Sequence, residues 1–133
     1  MKIAAIIPAR GGSKGIENKN MIEILGKPLL WYTLERCNQS THINRTYVSS
    51  DSEVIGKYAE ENGAIWIKRP KSISDDNSTS EEAIRHVLNN IDYKPDIVVF
   101  LQATSPLRVK DDIDNAIVYF IENKVDSLFS SVE

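Results

Sequence analysis

The chain has one cysteine, Cys37, and two histidines, His42 and His86, among its 133 residues. A single thiol can neither close a disulfide nor assemble a cysteine metal cluster within one chain. Its place near Leu30, Leu34 and Arg36 in a helical pattern reads as a small core residue. The histidines lack partners at ligand spacing, which leaves them structural or surface roles. Excess positive charge is also missing: 16 basic against 19 acidic residues give a net charge of -3. No overall field then favours a nucleic-acid backbone, and a phosphate ligand needs a local basic site. Long apolar runs are absent too. The opening run has seven residues between Lys2 and Arg10, Pro8 among them, which is too short for a membrane span and lacks the layout of a secretory signal. The expected setting is the cytoplasm, with neither membrane nor nucleic acid as partner. There are no repeats, low-complexity tracts or linker-like stretches, so one domain over 1–133 is expected.

What is present is an alternation. Apolar runs of strand length occur at 3–7, 45–49, 64–67, 96–101 and 127–131, each bounded by polar or turn residues. Between them, segments of helical period occupy 28–37, 52–62, 80–91 and 111–123; in the last, Ile113, Ala116, Ile117, Phe120 and Ile121 form one apolar face. Such an order predicts an α/β fold, with a mainly parallel sheet covered by helices on both faces. Ligands in such sheets bind beyond the carboxyl ends of the strands. That points to 8–21 and 102–108, both long and polar for connections of this kind. The stretch 72–80 reads as a surface loop leading into a helix. The run at 127–131 has no helix after it, which leaves one flank of the sheet unfinished and gives the expectation of a piece of a longer protein.

The first connection holds the chemistry. Gly11, Gly12 and Gly15 let backbone N–H groups turn toward an anion, while Arg10, Lys14 and Lys19 can surround phosphates with positive charge. It is not a P-loop, because Gly26-Lys27 is followed by Pro28 and Met21 stands where the first glycine belongs. The dinucleotide fingerprint also fails, since no three glycines have its spacing. A glycine-rich tight turn with solvated lysines is the plain alternative. The convergence of three cations and three glycines favours phosphate.

Taken together, IPARGGSKGI, the following KN, GKPL, SSDS, an RP pair and LQATSPLR resemble the acylneuraminate cytidylyltransferases, in family order and over essentially the whole chain. The resemblance is to the amino-terminal part of that family. It implies a Rossmann-like nucleotidyltransferase fold, CTP and a nine-carbon keto sugar acid as substrates, magnesium as cofactor, and a homodimer in the complete protein. It also implies roles by position. Arg10, Lys14 and Lys19 match basic residues near the phosphates, with Arg10 and Lys14 assigned to catalysis. Ser13 and Asn20 match nucleotide contacts, Arg69 an arginine beside the cytosine, Ser78 and Ser80 two serines lining that site, and Gln102 a glutamine at the ribose side. The residue types suit cytosine, whose O2 and N3 accept and whose N4 donates; a guanidinium supplies donors only. The family's magnesium-binding aspartates and most sugar contacts match positions beyond Glu133, so no metal ligand is assigned here.

Each assignment has a structural rival. Ser78, three residues before Glu81, fits a capping box as well as a nucleotide contact, and the two roles are compatible. Arg69 could be a solvated arginine, and Gln102 could satisfy loop backbone. Asp111, Asp112 and Asp114 suggest a metal cluster, but at a helix start they suit the positive end of its dipole better. No side chain stands out as a general base. Two further readings stay open: a related synthetase for legionaminate, pseudaminate or KDO, and a noncatalytic nucleotide-binding or regulatory module.

Overall fold

The computed structural model of the chain describes residues 1–13, 16–17, 21–70, 80–102 and 112–123. Strand β1 (Ile3–Pro8) leads through two small ribbons to helix α1 (Leu29–Gln39) and strand β6 (Arg45–Ser50). Helix α2 (Glu53–Glu61), strand β7 (Ile65–Lys68), helix α3 (Ser80–Asn89), strand β8 (Ile97–Phe100) and helix α4 (Asp112–Asn123) follow. Four strands form one sheet in the order β7-β6-β1-β8, every pair parallel. The chain builds outward from β1 to β7 and then crosses back to place β8 on β1's other side. Strand order therefore reverses beside β1, and ligands of such sheets bind at that switch point, beyond the carboxyl ends.

Central β1 has no polar side chain because both of its faces are covered. Ile3, Ala5 and Ile7 pack with Leu30, Leu34 and Cys37 of α1, Ile55 and Ala59 of α2, and Ile113 and Ile117 of α4. Ala4 and Ile6 face the other way, toward Tyr47 of β6 and Val87 of α3. Each fully buried isoleucine contributes about 2 to 3 kcal/mol. Cys37 is buried in the first of these layers, as its helical spacing indicates.

The expected fold class and the first four strands hold, with helix ends moved by one or two residues. Helix α1 runs from Leu29 to Gln39, because Pro28 takes the N-cap position with an extended backbone. The expected strand at 127–131 lies outside the described residues, as do 103–108 and most of the loop at 72–80. Two antiparallel ribbons were not anticipated. One pairs β2 (Gly12–Ser13) with β3 (Ile16–Glu17), and the other pairs β4 (Glu23–Ile24) with β5 (Lys27–Pro28). The second turns through Leu25 and Gly26, both with positive φ, a conformation glycine accepts and leucine resists.

Helix α2 is started by Ser52, whose Oγ accepts from the Ile55 amide at 3.3 Å, and it is pressed onto β7 at Gly56. A Cβ at Gly56 would lie 2.0 Å from Cδ2 of the Trp66 ring, and that ring is pinned by Nε1 donating to the Ser50 carbonyl at 3.0 Å. Gly56→Ala gains about 1 kcal/mol of helix propensity. Collision with the indole outweighs it. A net loss of about 1 to 2 kcal/mol is expected in urea unfolding, recovered when Trp66→Leu is added. Stabilisation by Gly56→Ala alone would contradict the close packing.

Asp114 does more than favour the start of α4. Its carboxylate accepts from Ser40 Oγ, from the Thr41 amide at 3.0 Å and from Thr41 Oγ1 at 3.1 Å. It thereby ties α4 to the α1–β6 connection. Burial pushes its pKa up, but the bonds from Ser40 and Thr41, with the nearby His42, together hold it below the ordinary aspartate value. A depressed folded pKa means stability that is complete above the unfolded value and fades as pH falls through the folded one. Asp114→Ala should cost about 1 to 2 kcal/mol near neutral pH and less in acid, measured by urea unfolding at several pH values. An equal loss across the whole range would disconnect the charge from the effect.

Candidate functional site

Four chain segments leave the carboxyl ends of the sheet together, and the hydrogen bonds there fasten them to one another. Ala9 donates its amide to the Ser49 carbonyl at 2.8 Å, and Arg69 donates its amide to the Ser50 carbonyl at 2.9 Å, so pairing extends past the formal ends of β1 and β7. The Leu101 amide donates to the Ile6 carbonyl at 3.1 Å, which seats Gln102 at the mouth of the switch point. Ser50 Oγ accepts from the Ser52 amide at 3.0 Å. Asp51, just past β6, accepts the Gly11 amide on Oδ1 at 2.8 Å.

This last bond fixes the base of the glycine loop. Gly11 is buried and Arg10 half-buried, so the carboxylate of Asp51 anchors the chain where the cradle begins. The SSDS stretch is therefore a structural fastening: Ser52 caps a helix, Ser50 turns the chain and Asp51 holds the neighbouring loop. Asp51 was not singled out from the sequence. An acid directly after an apolar strand, beside a glycine-rich connection, is the signal that could have found it.

Arg69 is 3% exposed, which rules out a solvated surface role. Its Nε and Nη2 are buried without a hydrogen-bond partner among the described residues. Burial pushes the guanidinium pKa below its ordinary value, Asp51 opposes that shift, and the positive charge of Arg10 adds to it. Arg10 and Arg69 therefore stand as neighbouring cations, and an arginine remains charged at any physiological pH. Two cations close enough to feel each other's charge, one with buried open donors, form a place for an anionic or acceptor-rich ligand.

The other expected residues divide as follows. Gln102 is exposed at the end of β8's run, within the same rim. Ser13 lies in the ribbon strand β2, and Ser80 opens α3. Lys14, Lys19, Asn20 and Ser78 lie outside the described residues. Glu81, the acid of the capping-box reading, accepts from Arg85 at 2.7 Å on the exposed side of α3. Among the described residues no group of three or more acidic, histidine or cysteine side chains gathers to hold a metal ion.

The family model described as cytidylyltransferase matches residues 4–133. The chain belongs to the cytidylyltransferase family. An N-acylneuraminate cytidylyltransferase from Escherichia coli O18:K1:H7 is 44% identical over 117 residues, covering 87% of this chain and 27% of that protein. A pseudaminic acid cytidylyltransferase from Campylobacter jejuni is 39% identical over 137 aligned positions, covering 100% of this chain and 59% of that protein. The chain thus spans between about a quarter and three-fifths of the length of these relatives. Among solved structures, a CMP:2-keto-3-deoxy-manno-octonic acid synthetase complexed with CTP superposes with a TM-score of 0.80 over 94% of this chain and 49% of its own, at 22% identity. That likeness establishes the nucleotidyltransferase fold. No helix among the described residues is long and apolar enough to cross a membrane.

Proposed function

We propose that the complete protein transfers CMP from CTP to a nine-carbon keto sugar acid of the N-acylneuraminate type, releasing pyrophosphate. The observation that carries this reading is the buried Arg69, with open donors, beside Arg10 at the carboxyl ends of the sheet of a cytidylyltransferase family member. In the proposed reaction the anomeric hydroxyl oxygen of the sugar acid bonds to the α-phosphorus, its proton passes to solvent, and the bond to the pyrophosphate oxygen breaks. Protein catalysis of such transfers consists mainly of positioning and charge stabilisation. Arg10 and Lys14 fill that role, Lys19 adds a phosphate contact, and Ser13 and Asn20 hold the nucleotide. Arg69, Ser78 and Ser80 read the base, and Gln102 takes the ribose side. Asp51 acts by holding the Gly11 amide in place.

Magnesium belongs to the same reading, as do a homodimer and a cytoplasmic setting. Among the described residues no group of three or more acidic, histidine or cysteine side chains gathers, and Asp51 accepts the Gly11 amide on Oδ1, so no ligand set for the metal is assigned here. A pseudaminate-type acid is a second substrate reading, supported by the 39% identity to the Campylobacter jejuni protein over the whole chain. Pyrophosphate release from CTP by the full-length protein, measured against N-acetylneuraminate, legionaminate, pseudaminate and KDO, separates these readings. Release with none of the four would favour the noncatalytic module.

A further inference from the structure

Both cation-bearing segments of the rim are tied to the last residues of β6. On the phosphate side, the Ser49 carbonyl accepts the Ala9 amide at 2.8 Å and Asp51 Oδ1 accepts the Gly11 amide at 2.8 Å, so Arg10 stands between two fixed neighbours. On the other side, the carbonyl of fully buried Ser50 accepts the Arg69 amide at 2.9 Å. The same oxygen accepts Nε1 of Trp66 at 3.0 Å. A carbonyl oxygen has two lone pairs, and here both are engaged, which fixes the direction from which the Arg69 amide meets it.

Arg69 depends on this bond more than a fully paired arginine would. Its Nε and Nη2 make no hydrogen bond among the described residues, so those atoms do not set where the guanidinium lies. Placement then falls to packing and to the backbone, which Pro70 biases toward an extended conformation from the other side of the residue. The indole is itself held from behind. Trp66 pairs with Val48 in the register of β6 and β7 and lies over Gly56 of α2, where an added Cβ would come within 2.0 Å of Cδ2 of the ring. Ile67, the next residue, packs instead against the cluster of Tyr47 and Val87. The ring therefore occupies the α2 side of the sheet, and its link to Arg69 runs through the Ser50 carbonyl.

Resting on the cytidine-nucleotide reading of the site, we propose that Trp66 is a positioning residue for Arg69 and through it a determinant of base specificity. Gly56, the indole and the Ser50 carbonyl make one line of contact from α2 to the residue that reads the base. A tryptophan N–H in a packed setting usually finds some acceptor. Here the acceptor is the oxygen on which the Arg69 backbone also hangs. The phosphate loop hangs on Ser49 and Asp51 instead, so a disturbance at Trp66 reaches base discrimination and leaves the phosphate grip in place.

Trp66→Phe keeps an aromatic ring over Gly56 and removes the N–H. Calorimetric titration of the full-length variant should show its preference for CTP over UTP narrowed about fivefold, the weight of one neutral hydrogen bond, with affinity for inorganic tripolyphosphate within about twofold of wild type. Gly56→Ala reaches the same point by another route, because it displaces the indole with its N–H still present, and it should narrow the preference to a similar degree. Since both changes act through one bond, the double variant should lose no more preference than Trp66→Phe alone. Wild-type preference in Trp66→Phe, a tripolyphosphate affinity that falls as far as the base preference does, or additive losses in the double variant would each overturn the positioning role. Should Trp66→Phe fail to fold, Gly56→Ala titrated with the same three ligands decides the matter alone. A wild type that binds CTP and UTP equally would mark the base-reading assignment as the part that failed, and the role of Trp66 in specificity would fall with it.

Discussion

Replacing Arg10 by alanine in the full-length protein is expected to lower the rate of pyrophosphate release about a hundredfold. Stability should change by no more than about 1 kcal/mol. The asymmetry follows from where the residue stands. Arg10 leaves the sheet directly after β1, half-buried, between an Ala9 amide bonded to Ser49 and a Gly11 amide bonded to Asp51. Backbone bonds on both sides hold that position, so the fold keeps its shape when the side chain is removed. What is lost is a preorganised positive charge at the place where phosphate oxygens gain negative charge in the transition state. Steady-state kinetics together with a thermal melt check both halves. Unchanged turnover would remove Arg10 from the chemistry, and collapse of the fold would make its role structural.

Arg69→Met is expected to move affinity and stability in opposite directions. Methionine preserves much of the side-chain length and apolar contact but removes all donors. CTP affinity should fall by about ten- to a hundredfold, the weight of one charge-assisted hydrogen bond to the ligand. The unliganded protein should be equally stable or gain about 1 kcal/mol, because a buried guanidinium with unpaired Nε and Nη2 is a cost that binding offsets. Calorimetry and urea unfolding of the same variant give the two numbers. A structural arginine would show the reverse pattern, with lost stability and intact binding.

The large-scale plan was visible in the sequence because it is written in runs of similar residues. Residues 3–7 are apolar throughout, which only a strand covered on both faces requires, and the helices carry periods long enough to recognise. The ribbon strands β2 to β5 have two residues each, too few for any period to appear. Leu25 shows a stronger obstacle, since a positive φ at leucine contradicts local preference and is imposed by the hairpin. In the site, Arg10, Arg69 and Gln102 were named from motif and position, and the strand ends bring their backbones to one rim. The burial of Arg69 was not visible, because arginine is mostly exposed and only tertiary packing decides otherwise. Asp51, and the tie that Asp114 makes, escaped for another reason. Each acts on a residue distant in sequence, Gly11 in one case and Ser40 with Thr41 in the other, so the chemistry exists only once topology brings the partners together.

The most direct test of a cytidine-reading site is calorimetric titration of the full-length protein with CTP, UTP and ATP under matched salt. Cytosine and uracil are nearly the same size and differ in the groups at N3 and N4, so phosphate contacts alone cannot separate them. The expected result is preference for CTP over UTP by at least about tenfold, with ATP weaker still, and loss of that preference in Arg69→Met. Equal affinity for all three nucleotides would leave a phosphate cradle standing and contradict base recognition by Arg69.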